Sequence, residues 1–293
     1  MPQFQGSMTA MATPFKGDSV DDAAFERLIE RQIAGGTTAL VVAGTTGESA
    51  TLSDEEHRRL IERAVAIAAR RALVVAGAGS NETRYAIELA RCAEAAGADA
   101  ILAVTGYYNK PSQAGLIAHY RALHEATRLP IILYNVPGRT VANLSVETIA
   151  TLSRLPRIVG LKDATGDLAR VALQRLASPP AFALLSGEDV TAVGFNAMGG
   201  TGCISVTSNV APELCAALQN ATLVGDYAKA RALQDRLTPL HDVLFKDVNP
   251  GPVKYALSAL GLCEETVRLP LVPPPDAVKA RVREVLADLG LRG

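Results

Sequence analysis

Three stretches of this sequence end short apolar runs on residues able to do chemistry: Gly44-Thr-Thr-Gly-Glu-Ser49, Tyr134-Asn-Val-Pro-Gly-Arg-Thr140 and Gly160-Leu-Lys-Asp-Ala-Thr-Gly166. Lys162 closes the run Ile158-Val-Gly-Leu-Lys162. Burial at a strand end disfavours the ammonium form, lowers the pKa and makes the free amine a nucleophile toward a ketone. Residues two apart share a strand face, so Gly160 lies on the side of Lys162 and is expected to leave room beside the amine. An isolated lysine at a strand end more often snorkels to water. Here the hydroxyls of Tyr134 and of the threonines at neighbouring strand ends favour the nucleophile. A Schiff base forms only if its carbinolamine loses water, which calls for a hydroxyl beside the amine to move protons. Tyr134 fits that task by position, because it shares a face with Ile132 on the preceding strand, and consecutive strands of this kind adjoin. A buried tyrosine with a structural hydrogen bond is the other reading of the same residue.

The glycines of Gly44-Thr-Thr-Gly47 let backbone N–H groups face an anion such as a carboxylate, although a glycine-rich turn after a strand is as often only a turn. Arg139 follows Pro137-Gly138 and could clamp a second carboxylate with a two-pronged contact, or stand on the surface.

Elements to position these residues are written along the chain. Seven apolar runs, Ala39–Ala43, Leu73–Ala76, Ala100–Val104, Ile131–Tyr134, Ile158–Lys162, Phe182–Ser186 and Gly202–Ser205, follow Met8–Ala12. Continuous apolar runs mean strands buried on both faces, and their alternation with helical segments means a parallel sheet. Phe25, Leu28, Ile29 and Ile33 form one apolar helical stripe, and Ala86, Leu89, Ala90 and Ala93 another. Ser53-Asp-Glu-Glu56 has the form of a capping box, and Gly35-Gly36 and Gly97 suit helix C-termini. Eight strand-helix units predict an α/β fold, a (β/α)8 TIM barrel over 1–223, with catalytic side chains at the C-terminal ends of the strands. Past 223 the strand signal is gone. Helices predicted over Asp226–Phe245, Pro252–Leu260 and Asp276–Leu289, separated by Asn249-Pro-Gly-Pro252 and Pro270–Pro275, make a C-terminal helical extension over 224–293.

Composition excludes several classes. Among 293 residues, 29 Lys and Arg meet 30 Asp and Glu with no basic run, so neither nucleic acid nor an anionic membrane is an expected partner; a small molecule or another copy of the chain is. Cys92, Cys203, Cys215 and Cys263 are too scattered for a disulfide framework or a zinc cluster. Met1–Phe15 lacks the pattern of a signal segment, and no run approaches the ~18 apolar residues of a membrane helix, so a cytoplasmic protein is expected. His57, His119, His124 and His241 make no metal-ligand pattern, and Gly77-Ala-Gly-Ser-Asn-Glu82 lacks the third glycine of a dinucleotide turn. Gly199, Gly200 and Gly202 precede the eighth strand instead of following it, which places them poorly for a phosphate site. No metal and no cofactor are expected.

Together with Gly106-Tyr-Tyr-Asn-Lys-Pro111, the three stretches resemble, in order and spacing, the signatures of the dihydrodipicolinate synthase family. The resemblance covers essentially the whole chain. It implies a class I, Schiff-base-forming carbon-carbon lyase that joins pyruvate to L-aspartate 4-semialdehyde at the first committed step toward diaminopimelate and lysine. By the same resemblance Lys162 carries the Schiff base, and Tyr134, Thr45 and Tyr108 make a proton relay. The backbone of Thr45 and Thr46 holds the pyruvate carboxylate, Arg139 binds that of the semialdehyde, and Gly187 and Ile204 line the pocket. The tyrosine matching Tyr107 comes near the relay position of a neighbouring subunit, which implies a homotetramer built as a dimer of dimers. Ser49, Ala50, His57, Asn81 and Tyr107 match the site at which some members bind inhibitory lysine, but Asp54 and Tyr85 stand where sensitive members carry His and Glu, so weak or absent inhibition is expected. Sibling pyruvate lyases acting on N-acetylneuraminate, 4-hydroxy-2-oxoglutarate or 2-keto-3-deoxygluconate share the barrel and the lysine. Arg139 suits a short carboxylated aldehyde better than a polyol. A silent barrel that only binds a keto acid is the alternative of another class.

Overall fold

The structure is a computed structural model and describes residues 3–292. Eight parallel strands close into a barrel: β1 Gly6–Ala10, β2 Ala39–Val42, β3 Leu73–Gly77, β4 Ala100–Val104, β5 Ile131–Asn135, β6 Ile158–Asp163, β7 Ala183–Ser186 and β8 Gly202–Ser205. Each pairs with the next, and β1 closes the ring against β8 with Gly6 opposite Gly202 and Met8 opposite Ile204.

The unbroken apolar runs reflect two separate cores. Alternate residues Met8, Val41, Val75, Leu102, Ile132 and Leu185 fill the barrel interior. Their neighbours Leu40, Val74, Ile101, Leu133 and Leu184 point outward into the helical layer. Both faces of every strand leave water, which is why no polar alternation marks them.

The outer layer is α1 Asp22–Ala34, α2 Asp54–Ala68, α3 Thr83–Ala95, α4 Gln113–Ala126, α5 Val146–Leu152, α6 Leu168–Ala177, α7 Ala192–Ala197 and α8 Pro212–Leu223. Local chemistry sets their ends. The capping box at α2 is formed, with Ser53 Oγ accepting from Glu56 N and Glu56 accepting from Ser53 N. Gly36 and Gly97, at φ of +84° and +82°, turn the chain after α1 and α3. Beyond the barrel come α9 Tyr227–Val243, α10 Gly251–Ala259 and α11 Asp276–Asp288, each within two residues of its expected bounds. Leu237, Leu240, Val253 and Val282 of these helices join the same apolar cluster as the outward side chains of the strands.

Two details differ from expectation. The first strand is Gly6–Ala10, not Met8–Ala12; Met11 N still donates to Val41 O at 3.0 Å, but Ala12 N leaves the strand pairing and donates to Asn209 Oδ1 at 3.0 Å. A small hairpin pairs Phe15–Lys16 with Ser19–Val20, two residues a side and too short to leave a periodic signal.

Candidate active site

Register brings the expected reactive pair together at the C-terminal mouth of the barrel. Tyr134 stands directly opposite Lys162 across β5 and β6. Both side chains turn inward and are 7% and 6% exposed, with Lys162 Nζ 4.2 Å from the centre of the tyrosine ring. The next residue, Asp163, points the other way: its carboxylate accepts from Thr165 N at 2.9 Å and from the Gln174 amide. That outward anchor fixes the strand end and the direction in which Lys162 leaves it.

The room beside the amine is made by a different glycine from the one expected. A Cβ on Gly160 would lie 2.8 Å from the Ala183 carbonyl oxygen, so its smallness serves the close approach of β6 and β7. A Cβ on Gly187 would lie 3.1 Å from Lys162 Cε and 2.7 Å from Ala164 Cβ. Gly187 is therefore the residue that clears space at the lysine, and its N–H is fixed on Asp163 O at 2.7 Å. Ile204 is buried on the interior face of β8.

The loop after β2 curls over the same mouth. Thr46 is buried and Thr45 half-buried, and among the described residues neither backbone N–H donates to a protein acceptor. Two unengaged N–H groups at a barrel rim can receive a carboxylate. Arg139 rides on the single turn Pro137–Thr140, exposed, with no ion-pair partner among the described residues. Glu188 faces both Arg139 and Lys162 from the loop after β7. Burial pushes its carboxyl up, Asp189 adds to the rise, and the two cations oppose it. Sequence reasoning missed Glu188, which lies in no motif; its one signal was its place beside Gly187 at the end of β7.

Other expected residues lie away from the lysine. Tyr108 is 89% exposed, at φ +68°, and Tyr107 is also exposed. In the group matched to lysine binding, Ser49 is half-buried and Ala50 exposed, while His57 is buried with its Nε2–H donating to Gly77 O at 2.8 Å. Asn81 O accepts from Asn109 Nδ2 at 2.9 Å. The two departures from the sensitive pattern meet each other: Tyr85 donates to Asp54 Oδ1 at 2.5 Å, and that carboxylate, helped by burial, pushes the Tyr85 phenol up to about 12. Among the described residues no three His, Cys, Asp or Glu side chains gather as a metal-ligand group, and no helix is long and apolar enough to cross a membrane.

An amine buried against a tyrosine at the mouth of a (β/α)8 barrel, with anion-receiving groups around it, defines a Schiff-base-forming lyase of the class I aldolase type. Residues 3–289 match the model of the dihydrodipicolinate synthetase family, and the chain belongs to that family. It is 57% identical over 288 residues to the 4-hydroxy-tetrahydrodipicolinate synthase of Parvibaculum lavamentivorans, covering 98% of this chain and 99% of that one. Among solved structures, dihydrodipicolinate synthase from Aquifex aeolicus superposes with a TM-score of 0.97 at 42% identity, covering 98% of this chain and 99% of that one. The chloride-inhibited dihydrodipicolinate synthase of Acinetobacter baumannii, complexed with pyruvate, does so with a TM-score of 0.96 at 44% identity, with the same shares covered.

Proposed function

We infer that this chain condenses pyruvate with L-aspartate 4-semialdehyde through a Schiff base on Lys162, opening the route to diaminopimelate and lysine. The observation that carries the reading is the buried Lys162 amine 4.2 Å from the ring centre of Tyr134. The pyruvate held by the Acinetobacter baumannii relative supports the first substrate.

The Lys162 amine adds to the pyruvate ketone, and the carbinolamine loses water to give an iminium, with Tyr134 and Thr45 carrying protons. Loss of a methyl proton gives an enamine, whose carbon attacks the aldehyde. The amine of the added substrate then displaces Lys162 from the imine carbon, closing the ring and freeing the lysine. The free N–H groups of Thr45 and Thr46 suit the pyruvate carboxylate, Arg139 suits that of the semialdehyde, and Gly187 and Ile204 line the space between. Tyr108 is proposed to complete the relay, and Tyr107 to come near the relay position of a neighbouring copy in a dimer of dimers. The segment 224–293 is proposed as an extension that serves the barrel. Four free cysteines fit a reducing compartment, and the cytoplasm is proposed as the site of action.

The test is pyruvate consumption with the semialdehyde as co-substrate, with borohydride trapping of the adduct. Turnover and trapping both vanish in Lys162→Ala, and Arg139→Ala traps pyruvate normally but turns over poorly. Trapping without consumption of the semialdehyde in the parent enzyme would overturn the second substrate, and trapping that survives Lys162→Ala would overturn the site.

A further inference from the structure

The loop that would receive pyruvate is held by residues more than two hundred positions away. Ala43 and Glu48, at its two ends, both stand at φ +54°, a left-handed conformation that non-glycine residues keep only where their surroundings hold them. Three residues of the C-terminal extension grip the loop at and around Glu48. Lys254, fully buried, places its ammonium 2.7 Å from Glu48 Oε1 and 3.9 Å from the centre of the Phe15 ring. Arg268 N donates to Glu48 Oε2 at 2.9 Å, while the Arg268 guanidinium forks the Glu56 carboxylate and donates to Thr51 O at 2.8 Å. Asn249 Nδ2 donates to Thr46 Oγ1 at 3.0 Å.

The last contact has a chemical direction. Asn249 is 5% exposed, and its Oδ1 is buried without a protein donor, so the bond to Thr46 is the one its side chain makes to the protein among the described residues. A hydroxyl oxygen that accepts from an amide points its own hydrogen elsewhere, and no protein acceptor meets the Thr46 hydrogen among the described residues. That hydrogen is left to donate beside the free N–H groups of Thr45 and Thr46.

We propose that Asn249 is a positioning residue for the first substrate: by donating to Thr46 Oγ1 it turns the threonine O–H onto the pyruvate carboxylate, while the Lys254–Glu48 pair holds the loop in place. The proposal rests on the reading of Gly44–Gly47 as the pyruvate carboxylate cradle. Asn249 touches no reacting atom. Its effect is to be read in substrate affinity through Thr46.

The experiment uses the full-length enzyme with both substrates and four variants: Asn249→Ala, the isosteric Asn249→Asp, Thr46→Val, and Thr46→Val with Asn249→Ala. One hydrogen bond to a charged group is worth about tenfold or more in affinity, so Asn249→Ala raises KM for pyruvate about tenfold. It leaves kcat within about twofold and KM for the semialdehyde unmoved, as expected for lost ground-state binding. Asn249→Asp keeps the shape but claims the Thr46 proton and brings negative charge toward the carboxylate, so it raises KM for pyruvate further. The double variant is no worse than Thr46→Val alone, because both changes act on one interaction. If Thr46→Val raises KM for pyruvate while neither Asn249 variant does, or if the effects of Thr46→Val and Asn249→Ala add in full, the inference is overturned and the cradle stands. If Thr46→Val leaves KM for pyruvate unchanged, the Thr46 hydroxyl does not meet the carboxylate and the inference is overturned, while the backbone cradle, which this substitution keeps, stands.

Discussion

Replacing Gly187 by alanine adds one methyl group at a confined point beside Lys162. Gly187 does not occupy a left-handed conformation, so alanine carries no backbone penalty there and the effect is steric. The new carbon would sit 2.7 Å from Ala164 Cβ and 3.1 Å from Lys162 Cε. Favourable carbon contacts lie at roughly 3.5–4.0 Å, so both contacts need relief of about half an ångström or more. Overpacking of this size costs about 1–3 kcal/mol. Ala164 lies on backbone fixed by its N–H to Asn135 O at 2.9 Å, whereas Lys162 Cε is near the end of a flexible chain. The lysine should move. Misplacing a reacting group by about 1 Å costs on the order of a hundredfold in rate. Gly187→Ala should therefore slow formation of the borohydride-trapped pyruvate adduct roughly a hundredfold. The melting temperature should fall by only a few degrees, at about 2–4 °C per kcal/mol for chains somewhat shorter than this one. Adduct formation at the parental rate would refute the reasoning: with a lowered melting temperature it would mean that Ala164 yields instead of the lysine, and with an unchanged one that the space is not confined at all.

Two further outcomes follow from groups outside the reacting pair. Tyr85 and Asp54 hydrogen-bond each other at the positions the family resemblance assigns to a lysine site, so L-lysine should leave the initial rate unchanged throughout the micromolar range, and half-inhibition there would contradict the assignment. Burial lowers the pKa of His57, His119 and His241. Unfolded histidine titrates near about 6.5, so as pH falls below that value the unfolded chain takes up protons first. Their contribution to stability is thus full above about pH 6.5 and is lost as pH falls through the lower native-state values. The buttressed carboxylates Glu56 and Glu94, each lowered to about 2 by hydrogen bonds, lose their contribution as pH falls from the ordinary carboxylate pKa of about 4.5 toward 2, mostly below this window. Urea midpoints measured from about pH 8 down to about pH 5 should decline, and a flat or rising midpoint would remove the histidines from the account.

The strands and the Lys162–Tyr134 juxtaposition were legible in the sequence for one physical reason. A parallel barrel buries both strand faces, so each strand is an apolar run, and a polar residue at its end, such as Lys162 or Tyr134, stands out against that background. Period two then fixed the shared face of Ile132 and Tyr134, and both lie in the interior core. The same logic misplaced the start of β1, because Gly6 and Ser7 carry no apolar signal. Periodicity gives faces but no distances between strands. That is why Gly160 was credited with space that Ala183 occupies, and why the role of Gly187 beside Lys162 became visible only as a distance of 3.1 Å.

What local pattern could not supply was the support of the β2 loop. Asn249 opens a Pro-Gly-Pro stretch that reads as a connector, and Lys254 reads as an ordinary lysine on an exposed helix face, since lysine is rarely buried unless paired. Their partners Thr46 and Glu48 lie 203 and 206 residues earlier. Nothing near Lys254 in the chain signals the carboxylate that neutralises it. Glu48 shows the same blindness from the other side, because within Gly44-Thr-Thr-Gly-Glu-Ser49 it looks like one more polar loop residue, yet its side chain is as buried as that of Lys254. Burying either charge without the other would be strongly unfavourable. The Glu48 turn and the docked extension therefore stabilise each other. This mutual support ties the C-terminal helices to the shape of a site whose Lys162 and Tyr134 stand on barrel strands.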